Sequence, residues 1–279
     1  MVAAGTVRDA LTASTDALAG AGVEGARFDA ELLLSEATGE GRARLDADPE
    51  APVGAPAARR FGAMVRRRVA REPVAYILGR RWFRRIELEV DRRVLIPRPE
   101  TEHLVEAALE LRPRTVCDVG TGSGAVALAI ADELPEARVV ATDTSPGALA
   151  LARANSDRLG LAERVAFEAG TFPAAGRFDL VVANLPYVSE GEWGRLQPEI
   201  SRYEPREALV AGPTGLEAIT ALLDDVGGRE PRPAAIALEV GAGQAAAVES
   251  LVRAAGYRSV EARRDLAGID RVVLGREAG

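Results

Sequence analysis

The segment Val116-Cys117-Asp118-Val119-Gly120-Thr121-Gly122-Ser123-Gly124 runs from a mainly apolar tetrapeptide into three closely spaced glycines, and a helical apolar stretch, residues 125–134, follows it. The tetrapeptide has the pattern of a buried parallel strand. Glycines permit positive φ angles and let a ligand approach backbone N–H groups at the start of a helix. The segment therefore predicts an α/β fold in which Gly120, Thr121, Gly122, Ser123 and Gly124 hold a cofactor.

A second strand pattern, residues 138–142, ends just before Asp143, at the spacing where a carboxylate accepts hydrogen bonds from a ribose. With Ala125 included, the glycines also fit the Gly-x-Gly-x-x-Ala pattern, so a nicotinamide cofactor is an alternative. Asp118 favours S-adenosylmethionine, because an acidic residue two positions before the first glycine is usual in methyltransferase loops. Purely structural interpretations are a loop cap for Asp118 and a helix N-cap for Asp143, shared with Thr144 or Ser145.

The tetrapeptide Asn184-Leu185-Pro186-Tyr187 follows a further apolar run, residues 178–183, where the fourth strand of such a sheet should end. It is a variant of the Asn/Asp-Pro-Pro-Tyr signature of enzymes that methylate planar, weakly nucleophilic nitrogens. The Asn184 carbonyl and the backbone carbonyl before Pro186 can accept both N–H bonds of such a nitrogen, and Tyr187 can cover its flat face. These four residues are the predicted catalytic and substrate-binding residues, with Asn184 also at the cofactor. By itself the tetrapeptide also fits an ordinary turn.

Composition excludes several other chemistries. The chain has one cysteine, Cys117, and one histidine, His103, and every Lys/Arg-type residue is an arginine. These counts exclude an internal disulfide, a metal site rich in cysteine or histidine, and a Schiff-base or P-loop lysine. We expect no metal, a Cys117 packed in its strand and a His103 on a helix surface.

Length and hydropathy indicate a cytoplasmic enzyme with two unequal domains. The 279 residues exceed one typical domain, and 47% of them are hydrophobic, which suffices for a buried core. No run reaches the roughly 18 apolar residues that could span a bilayer. The start of the chain, Met1-Val2-Ala3-Ala4-Gly5, lacks the features of a signal peptide. We therefore expect no membrane partner.

The apolar pattern divides the chain into three parts. Residues 1–80 predict a small helical domain in which Val7, Leu11 and Leu18 share a face. Residues 81–98 predict a β-hairpin linker that pairs residues 82–90 with residues 94–96 across a turn at 91–93. Residues 99–279 alternate strand and helix patterns, as in a doubly wound sheet. The predicted strands are residues 115–119, 138–142, 164–168, 178–183 and 234–240, with an antiparallel pair at 257–263 and 269–275.

Arginines concentrate in one segment. Residues 55–98 contain thirteen arginines against four acidic residues, a balance of 13 − 4 = +9, whereas the whole chain carries −7. Such a segment could attract an acidic protein or an RNA-bound partner, or it could be only a solvated helix face and hairpin.

Further motifs extend over nearly the whole chain. They are Arg71-Glu72-Pro73-Val74-Ala75-Tyr76-Ile77-Leu78-Gly79, Val94-Leu95-Ile96-Pro97-Arg98-Pro99-Glu100-Thr101-Glu102, Glu204-Pro205, Gly215-Leu216, Glu239-Val240-Gly241 with Gln244, and Gly268-Ile269-Asp270-Arg271. Together with the glycine segment and the Asn184 tetrapeptide, they resemble in order and number the HemK/PrmC family. These are protein-(glutamine-N5) methyltransferases that act on peptide chain release factors.

This resemblance implies a Rossmann-like class I methyltransferase with a mostly parallel seven-stranded sheet. The implied reaction transfers a methyl group from S-adenosyl-L-methionine to the glutamine of the Gly-Gly-Gln motif of class I release factors, and supports translation termination. Asn184 and the Leu185 carbonyl would accept the amide hydrogens, while Tyr187 packs on the side chain. The glycine loop and Asp143 would hold the cofactor, which residues 96–102 cover. The helical N-terminal domain would recognise the release factor.

The chain departs from the family pattern at two places. Leu185 replaces the commoner first proline but keeps the backbone carbonyl that the chemistry uses. Gly170-Thr171-Phe172 stands where the family often has an acidic residue followed by an aromatic one. We therefore assign Thr171, through its hydroxyl or backbone, to the cofactor site, and Phe172 is a candidate core residue.

Two other functions remain as alternatives. A nucleic-acid methyltransferase acting on adenine N6 or cytosine N4 uses the same signature, because an exocyclic amine poses the same electronic problem. The net charge of −7 and the confinement of the basic residues to one segment disfavour a direct nucleic-acid partner. A non-catalytic binding module is the second alternative, which the intact glycine loop, Asp143 and Asn184 disfavour.

Overall fold

The computed structural model describes residues 5–173 and 176–277, so the tetrapeptide Met1-Val2-Ala3-Ala4 lies outside the described residues. The chain divides into two compact units: Met1–Gly79 with Gln197–Tyr203, and Arg80–Leu196 with Glu204–Gly279.

The helices are α1 Val7–Gly20, α2 Ala26–Thr38, α3 Arg42–Ala47, α4 Ala55–Val69, α5 Val74–Leu78, α6 Glu102–Leu111, α7 Ala125–Glu133, α8 Pro146–Leu159, α9 Pro198–Tyr203, α10 Glu217–Gly227 and α11 Ala245–Ala254. The strands are β1 Arg80–Phe83, β2 Ile86–Glu89, β3 Thr115–Val119, β4 Arg138–Asp143, β5 Val165–Ala169, β6 Leu180–Ala183, β7 Val188–Ser189, β8 Val210–Gly212, β9 Ala235–Glu239, β10 Ser259–Arg264 and β11 Asp270–Arg276.

The first unit contains α1 to α5 and the short helix α9. Its first helix starts with a capping box, in which the Thr6 hydroxyl accepts from the backbone N–H of Asp9 and the Asp9 carboxylate accepts from that of Thr6. Val7, Leu11 and Leu18 are buried in the core of this unit, which confirms the predicted helix face.

The second unit contains a seven-stranded sheet with the strand order β10-β11-β9-β6-β3-β4-β5. Strands β9, β6, β3, β4 and β5 are parallel, and β11 and β10 run antiparallel at one side. The predicted mostly parallel sheet and each of its predicted strands are therefore confirmed. The chain order reverses between β3 and β6, where parallel α/β sheets bind their ligands beyond the carboxyl ends of the strands.

The predicted pairing within the hairpin is wrong. Strand β1 pairs with β2, and the turn lies at Arg84 and Arg85 rather than at residues 91–93. Arg84 has a positive φ of 48°, which an arginine in the sequence does not predict. Contacts with residues outside the hairpin stabilise this backbone conformation. Its backbone N–H donates to Glu102 at 3.2 Å and its guanidinium pairs with Glu133. Residues 94–96 form no strand, because the N–H of Val94 donates to the carbonyl of Asp91 and that of Ile96 to the Glu204 carboxylate, although both side chains are buried.

Two single residues lie as expected. Cys117 is fully buried in β3, where burial raises the pKa of its thiol. His103 lies partly exposed on α6, with its Nδ1 3.1 Å from a carboxylate oxygen of Glu106. Across residues 5–173 and 176–277, no helix has the length and apolar character needed to cross a bilayer, and no cluster of side chains could ligate a metal.

Many arginines of the 55–98 segment pair with acidic side chains. The arginines that lie within 4.0 Å of a carboxylate oxygen include Arg67, Arg68, Arg71, Arg80, Arg84, Arg93 and Arg98. Three of these pairs use Glu72, Glu87 and Asp91, which the balance of +9 already counts. The others use carboxylates outside the segment, those of Asp29, Glu133, Glu199 and Glu204. These outer carboxylates lower the cationic charge that the segment presents to solvent below its net balance.

Candidate active site

A cavity of about 390 Å³ lies at the carboxyl edge of the sheet, within the range of roughly 300–1,000 Å³ typical of ligand sites. Residues that directly follow β3, β4, β5 and β6 line it. Among the predicted site residues, the lining includes Gly120, Thr121, Gly122, Ser123, Asp143, Thr171, Asn184, Leu185 and Pro186. The glycine loop, Asp143 and Asn184, which directly follows β6, thus lie around one cavity.

Gly124 and Tyr187 are the predicted site residues that do not line the cavity. Gly124 stands at the N-terminus of α7 with a φ of 85°, and a Cβ there would lie 2.8 Å from Cδ1 of Leu128. Because glycine has no Cβ, the Leu128 side chain can pack against the backbone at the start of α7. The Tyr187 ring packs beside Gly241, and its carbonyl accepts from Gln244 at 3.0 Å. Burial raises the pKa of Tyr187 to about 12, so the phenol is neutral at physiological pH.

The carboxylate of Asp143, at the end of β4, is held by backbone donors. Asp143 accepts from the N–H of Gly122 at 2.9 Å with one oxygen and from that of Ser145 at 2.8 Å with the other. Ser145 itself is the N-cap of α8, because its hydroxyl accepts from Ala148. Each oxygen of Asp143 keeps a lone pair for a further donor such as a ribose hydroxyl.

Asp118 also lines the cavity but is only 1% exposed. One of its oxygens accepts from the Thr121 hydroxyl at 2.6 Å and from the N–H of Ala127 at 3.2 Å. Burial raises the pKa of Asp118 to about 7. The residue therefore caps the loop and also places a titratable group at the cavity.

The Asn184 carboxamide is held at one end. Its Nδ2 donates to Oγ1 of Thr101 at 3.0 Å, and no donor among the described residues reaches its Oδ1 within hydrogen-bond distance. An amide oxygen at a cavity wall can accept from an N–H group of a bound molecule. The tip of β6 can therefore receive a planar amide or amine.

Thr171 occupies the wall beyond β5. Its carbonyl accepts from the Thr142 hydroxyl at 3.0 Å. The neighbouring Phe172 packs against the core edge-on to Phe178, with 6.1 Å between ring centroids, and the Arg229 guanidinium lies 4.2 Å above its ring. Phe172 is thus a partly buried residue that packs against the core, as predicted.

Other walls of the cavity come from residues that were not assigned to the site from the sequence, although some of them belong to its motifs. They include Arg93, Val94 and Leu95, Pro205, Glu207 and Ala208, and one face of α10. Of the predicted cover, Pro97, Arg98 and Thr101 line the cavity, whereas Ile96 is buried and donates its N–H to Glu204 at 3.0 Å. Glu204 also pairs with Arg98 and so fixes this cover segment.

Asn155 is a structural residue that sequence reasoning did not identify. It is fully buried in α8 and uses its whole carboxamide: Nδ2 donates to the carbonyls of Glu89 and Ser123, both at 3.0 Å, and Oδ1 accepts from the N–H of Glu89 at 2.7 Å. It ties β2 to the glycine loop. Its rarity in the chain was the one available signal, since Asn155 and Asn184 are the two asparagines.

Comparison with known families and proteins agrees with this arrangement. Residues 9–79 match the PrmC N-terminal domain, and residues 116–203 match a methyltransferase domain. A release factor glutamine methyltransferase of Moorella thermoacetica is 44% identical over 96% of this chain and 98% of its own length. A protein of the same name from Cereibacter sphaeroides is 42% identical over 96% and 97%.

Solved structures share the fold at low identity. A methyltransferase from Pyrococcus furiosus has a TM-score of 0.51 and 18% identity, over 68% of this chain and 88% of its own. The N-terminal domain of human METTL16 in complex with SAH has a TM-score of 0.51 and 15% identity, over 69% and 76%. These likenesses support the class I methyltransferase fold.

Proposed function

This chain belongs to the release factor glutamine methyltransferase family, and from that premise we propose that its cavity joins S-adenosyl-L-methionine to the side-chain amide of a release factor glutamine. The enzyme is an S-adenosylmethionine-dependent methyltransferase, and its product is N5-methylglutamine. We place the modified glutamine in the Gly-Gly-Gln motif of class I release factors. The observation that carries the proposal is the Oδ1 of Asn184, which has no donor among the described residues and lies in the same cavity as the glycine loop and Asp143.

The cofactor would supply a methyl group on a positively charged sulfur, and the residues of the cavity fit it. Asp143 offers lone pairs to ribose hydroxyls, and Gly120, Thr121, Gly122 and Ser123 bring backbone close to the ligand. Gly124 lets α7 begin directly after this loop, and Thr171 would lie beside the adenine. The ionisable Asp118 can balance positive charge on the bound cofactor.

The chain's contribution to the reaction is alignment. The amide nitrogen of glutamine is weakly nucleophilic because its lone pair is delocalised, so both of its hydrogens need acceptors in fixed positions. We assign Oδ1 of Asn184 and the carbonyl of Leu185 as these acceptors. Pro186 restricts the backbone around the Leu185 carbonyl, and Tyr187 packs behind the tip. Alignment of this kind lowers reaction barriers by about 7–11 kcal/mol, with no covalent enzyme intermediate.

We assign the remaining segments to recognition. The helical domain, residues 1–80, would bind the release factor away from its glutamine, residues 81–98 would form the linker, and residues 99–279 the methyltransferase domain. The ion pairs of the arginine segment support a protein partner over direct nucleic-acid binding, because paired guanidinium groups attract a phosphate backbone weakly. A substrate used in translation places the enzyme in the cytoplasm.

The test is a methyl-transfer assay with labelled S-adenosylmethionine. A class I release factor is one substrate, and the same factor with glutamate in place of the Gly-Gly-Gln glutamine is its matched control. Duplex DNA and an RNA hairpin complete the set. We expect one methyl group on the glutamine of the first substrate alone, located by peptide mass spectrometry. Label in the control factor or in a nucleic acid would overturn the assignment.

A further inference from the structure

The Gln244 side chain forms hydrogen bonds with three separate segments of the chain. Its Oε1 accepts from the backbone N–H of Gly241 at 2.9 Å. Its Nε2 donates to the carbonyl of Tyr187 at 3.0 Å and to that of Gly215 at 3.3 Å. The carboxamide is therefore used at both ends, and one of its partners belongs to the tetrapeptide that we assign to the methyl acceptor.

The fold brings these segments together at the carboxyl edge of the sheet. Strands β6 and β9 are parallel neighbours, with Ala183 opposite Leu238. Tyr187 lies in the segment that follows β6, and Gln244 lies in the segment that follows β9, directly before α11. The Gln244 side chain thus links the segments beyond two adjacent strands.

Two glycines leave the space that this side chain occupies. Gly215 has a φ of 79°, and a Cβ there would lie 2.5 Å from the Tyr187 carbonyl oxygen and 2.9 Å from Nε2 of Gln244. A Cβ on Gly241 would lie 2.9 Å from Oε1 of Gln244 and 3.1 Å from Cδ2 of Tyr187. A larger residue at either position would push Gln244 away from Tyr187, so the contact between them depends on both glycines.

The tetrapeptide, residues 184–187, is held at both ends by side chains from other elements. At its start, Nδ2 of Asn184 donates to Oγ1 of Thr101 at 3.0 Å. At its end, the Tyr187 carbonyl accepts from Gln244. The two residues between these points line the cavity.

We propose that Gln244 is a positioning residue for the methyl acceptor, because it fixes the Tyr187 end of the tetrapeptide and with it the direction of the Leu185 carbonyl. This inference rests on the proposed function, in which that carbonyl accepts one hydrogen of the glutamine amide. The ring of Pro186 fixes one of the few torsions between the Leu185 and Tyr187 carbonyls, so a shift of one is passed to the other. A misplacement of about 1 Å in a reacting group can cost roughly a hundredfold in rate.

Backbone pairing does not replace this contact. The pairing of β7 with β8 begins one residue later, where the N–H of Val188 donates to the carbonyl of Leu209 at 2.9 Å. It fixes the chain after the tetrapeptide, whereas the Tyr187 carbonyl is held by a side chain. Substitution of Gln244 can therefore release that carbonyl and leave the β7–β8 pairing in place.

Two variants of nearly the same shape as glutamine test the proposal. Gln244→Glu keeps an acceptor for Gly241, but its carboxylate has no hydrogen to donate to Tyr187. Gln244→Met forms neither bond and adds no charge. The control is Val252→Ala, which removes buried side-chain atoms two turns further along α11, where Val252 packs against Gly275.

Turnover on a release factor is measured for each variant. We expect both Gln244 variants to lower kcat about tenfold or more, with S-adenosylmethionine affinity within about twofold of wild type, since the glycine loop and Asp143 are untouched. Retained cofactor affinity also reports that the variant is folded. Val252→Ala should lower the unfolding midpoint but keep kcat within about twofold of wild type.

Normal turnover of either Gln244 variant would overturn the proposal. If Gln244→Met were active and Gln244→Glu slow, the loss would come from the added charge. If Gln244→Glu were active, the donated bond to Tyr187 would be dispensable. A loss in Val252→Ala as large as that in Gln244→Met would also overturn it, because general destabilisation would then explain both.

A second readout is independent of activity. Tyr187-Val188 is the one Tyr-Val pair in the sequence, so labelling with ¹³C-carbonyl tyrosine and ¹⁵N-valine gives a single correlated NMR signal, that of this peptide bond. The carbonyl frequency responds to the hydrogen bond that the oxygen accepts. Both Gln244 variants should therefore shift this signal, and Val252→Ala should leave it in place.

An unmoved signal in both Gln244 variants would contradict the positioning role. A wild-type enzyme that leaves the release factor unmethylated would instead contradict the proposed function, with the NMR result unaffected.

Discussion

Gly120 and Leu185 are in direct contact, because a Cβ placed on Gly120 would lie 3.0 Å from Cδ2 of Leu185. The glycine belongs to the cofactor loop after β3, and the leucine to the tip of β6 that we assign to the methyl acceptor. The two halves of the proposed reaction therefore meet at a position where the loop has no side chain.

Gly120→Ala tests this contact. Gly120 has a φ of 74°, which costs an L-residue about 1–2 kcal/mol, and the new methyl group would also press on Leu185. Gly160→Ala is the matched control, since Gly160 has a φ of 71° but open space around its Cβ position. We expect Gly120→Ala to lower the free energy of unfolding, measured without cofactor, by more than Gly160→Ala does. Equal losses would show that the contact carries no strain.

Asn184→Ala should separate cofactor binding from turnover. The variant lacks the oxygen that we assign to the substrate amide but leaves the glycine loop and Asp143 intact. Loss of one preorganised hydrogen-bond partner of a reacting group commonly costs roughly a hundredfold or more in kcat. We expect a loss of that size, with S-adenosylmethionine affinity close to that of wild type by calorimetry. Normal turnover of this variant would rule out the assigned role.

Leu185→Pro should remain active. Our assignment gives Leu185 a role through its backbone carbonyl, which proline retains, and the substitution restores the commoner form of the signature. We expect kcat within about tenfold of wild type. A loss as large as that of Asn184→Ala would mean that the leucine side chain, through its contact with Gly120, also positions the substrate.

Local patterns predicted the fold well because the relevant signals are local. The strands β3, β4 and β6 each span four to six residues, and the glycines follow β3 directly. The hairpin was misplaced because Arg84 gives no turn signal and takes its positive φ with the support of Glu102 and Glu133, which lie far along the chain.

In the candidate site, too, the features with local sequence signals were predicted, and the contacts between distant residues were not. Gly120, Asp143 and Asn184 stand at strand ends, so their common cavity followed from the strand order. The partner of Asn184 did not, because Thr101 lies 83 residues before it and meets it only in the folded chain. Hydrogen bonds between such distant residues leave no periodicity in a single sequence.

Asp118 should make stability depend on pH. Its pKa in the folded chain is about 7, against an ordinary value of 3.8, so between about pH 4 and pH 7 the folded state holds a proton that the unfolded chain has released. This contribution to stability is fully present below that window and is lost as pH rises through it. Relative to Asp118→Asn, the free energy of unfolding of wild type should fall by about 1.4 kcal/mol per pH unit there. Parallel curves from denaturant titrations would contradict the raised pKa.

Glu199 should matter to the helical unit although it lies far along the chain from the other helices. It pairs with Arg68 at 2.8 Å and with Arg71 at 2.6 Å, its side chain is 13% exposed, and that of Arg68 is 7% exposed. Helix α9 has six residues, too few to be stable alone, so these contacts hold it in the unit.

Glu199→Ala removes one of the two carboxylates that pair with the buried Arg68 guanidinium and also removes a carboxylate from the half-buried Arg71. Loss of a partner of a buried charge costs up to roughly 3–5 kcal/mol. The control is Glu50→Ala in the same unit, because Glu50 pairs with Arg8 while both side chains are more than half exposed. We expect Glu199→Ala to lower the unfolding midpoint clearly and to speed proteolysis within residues 5–79, whereas Glu50→Ala should change little. If the two variants unfold alike, the ion pairs of Glu199 do not stabilise this unit, and the short helix must be held by its remaining contacts, such as the hydrogen bond from the Tyr203 hydroxyl to the carbonyl of Ala70.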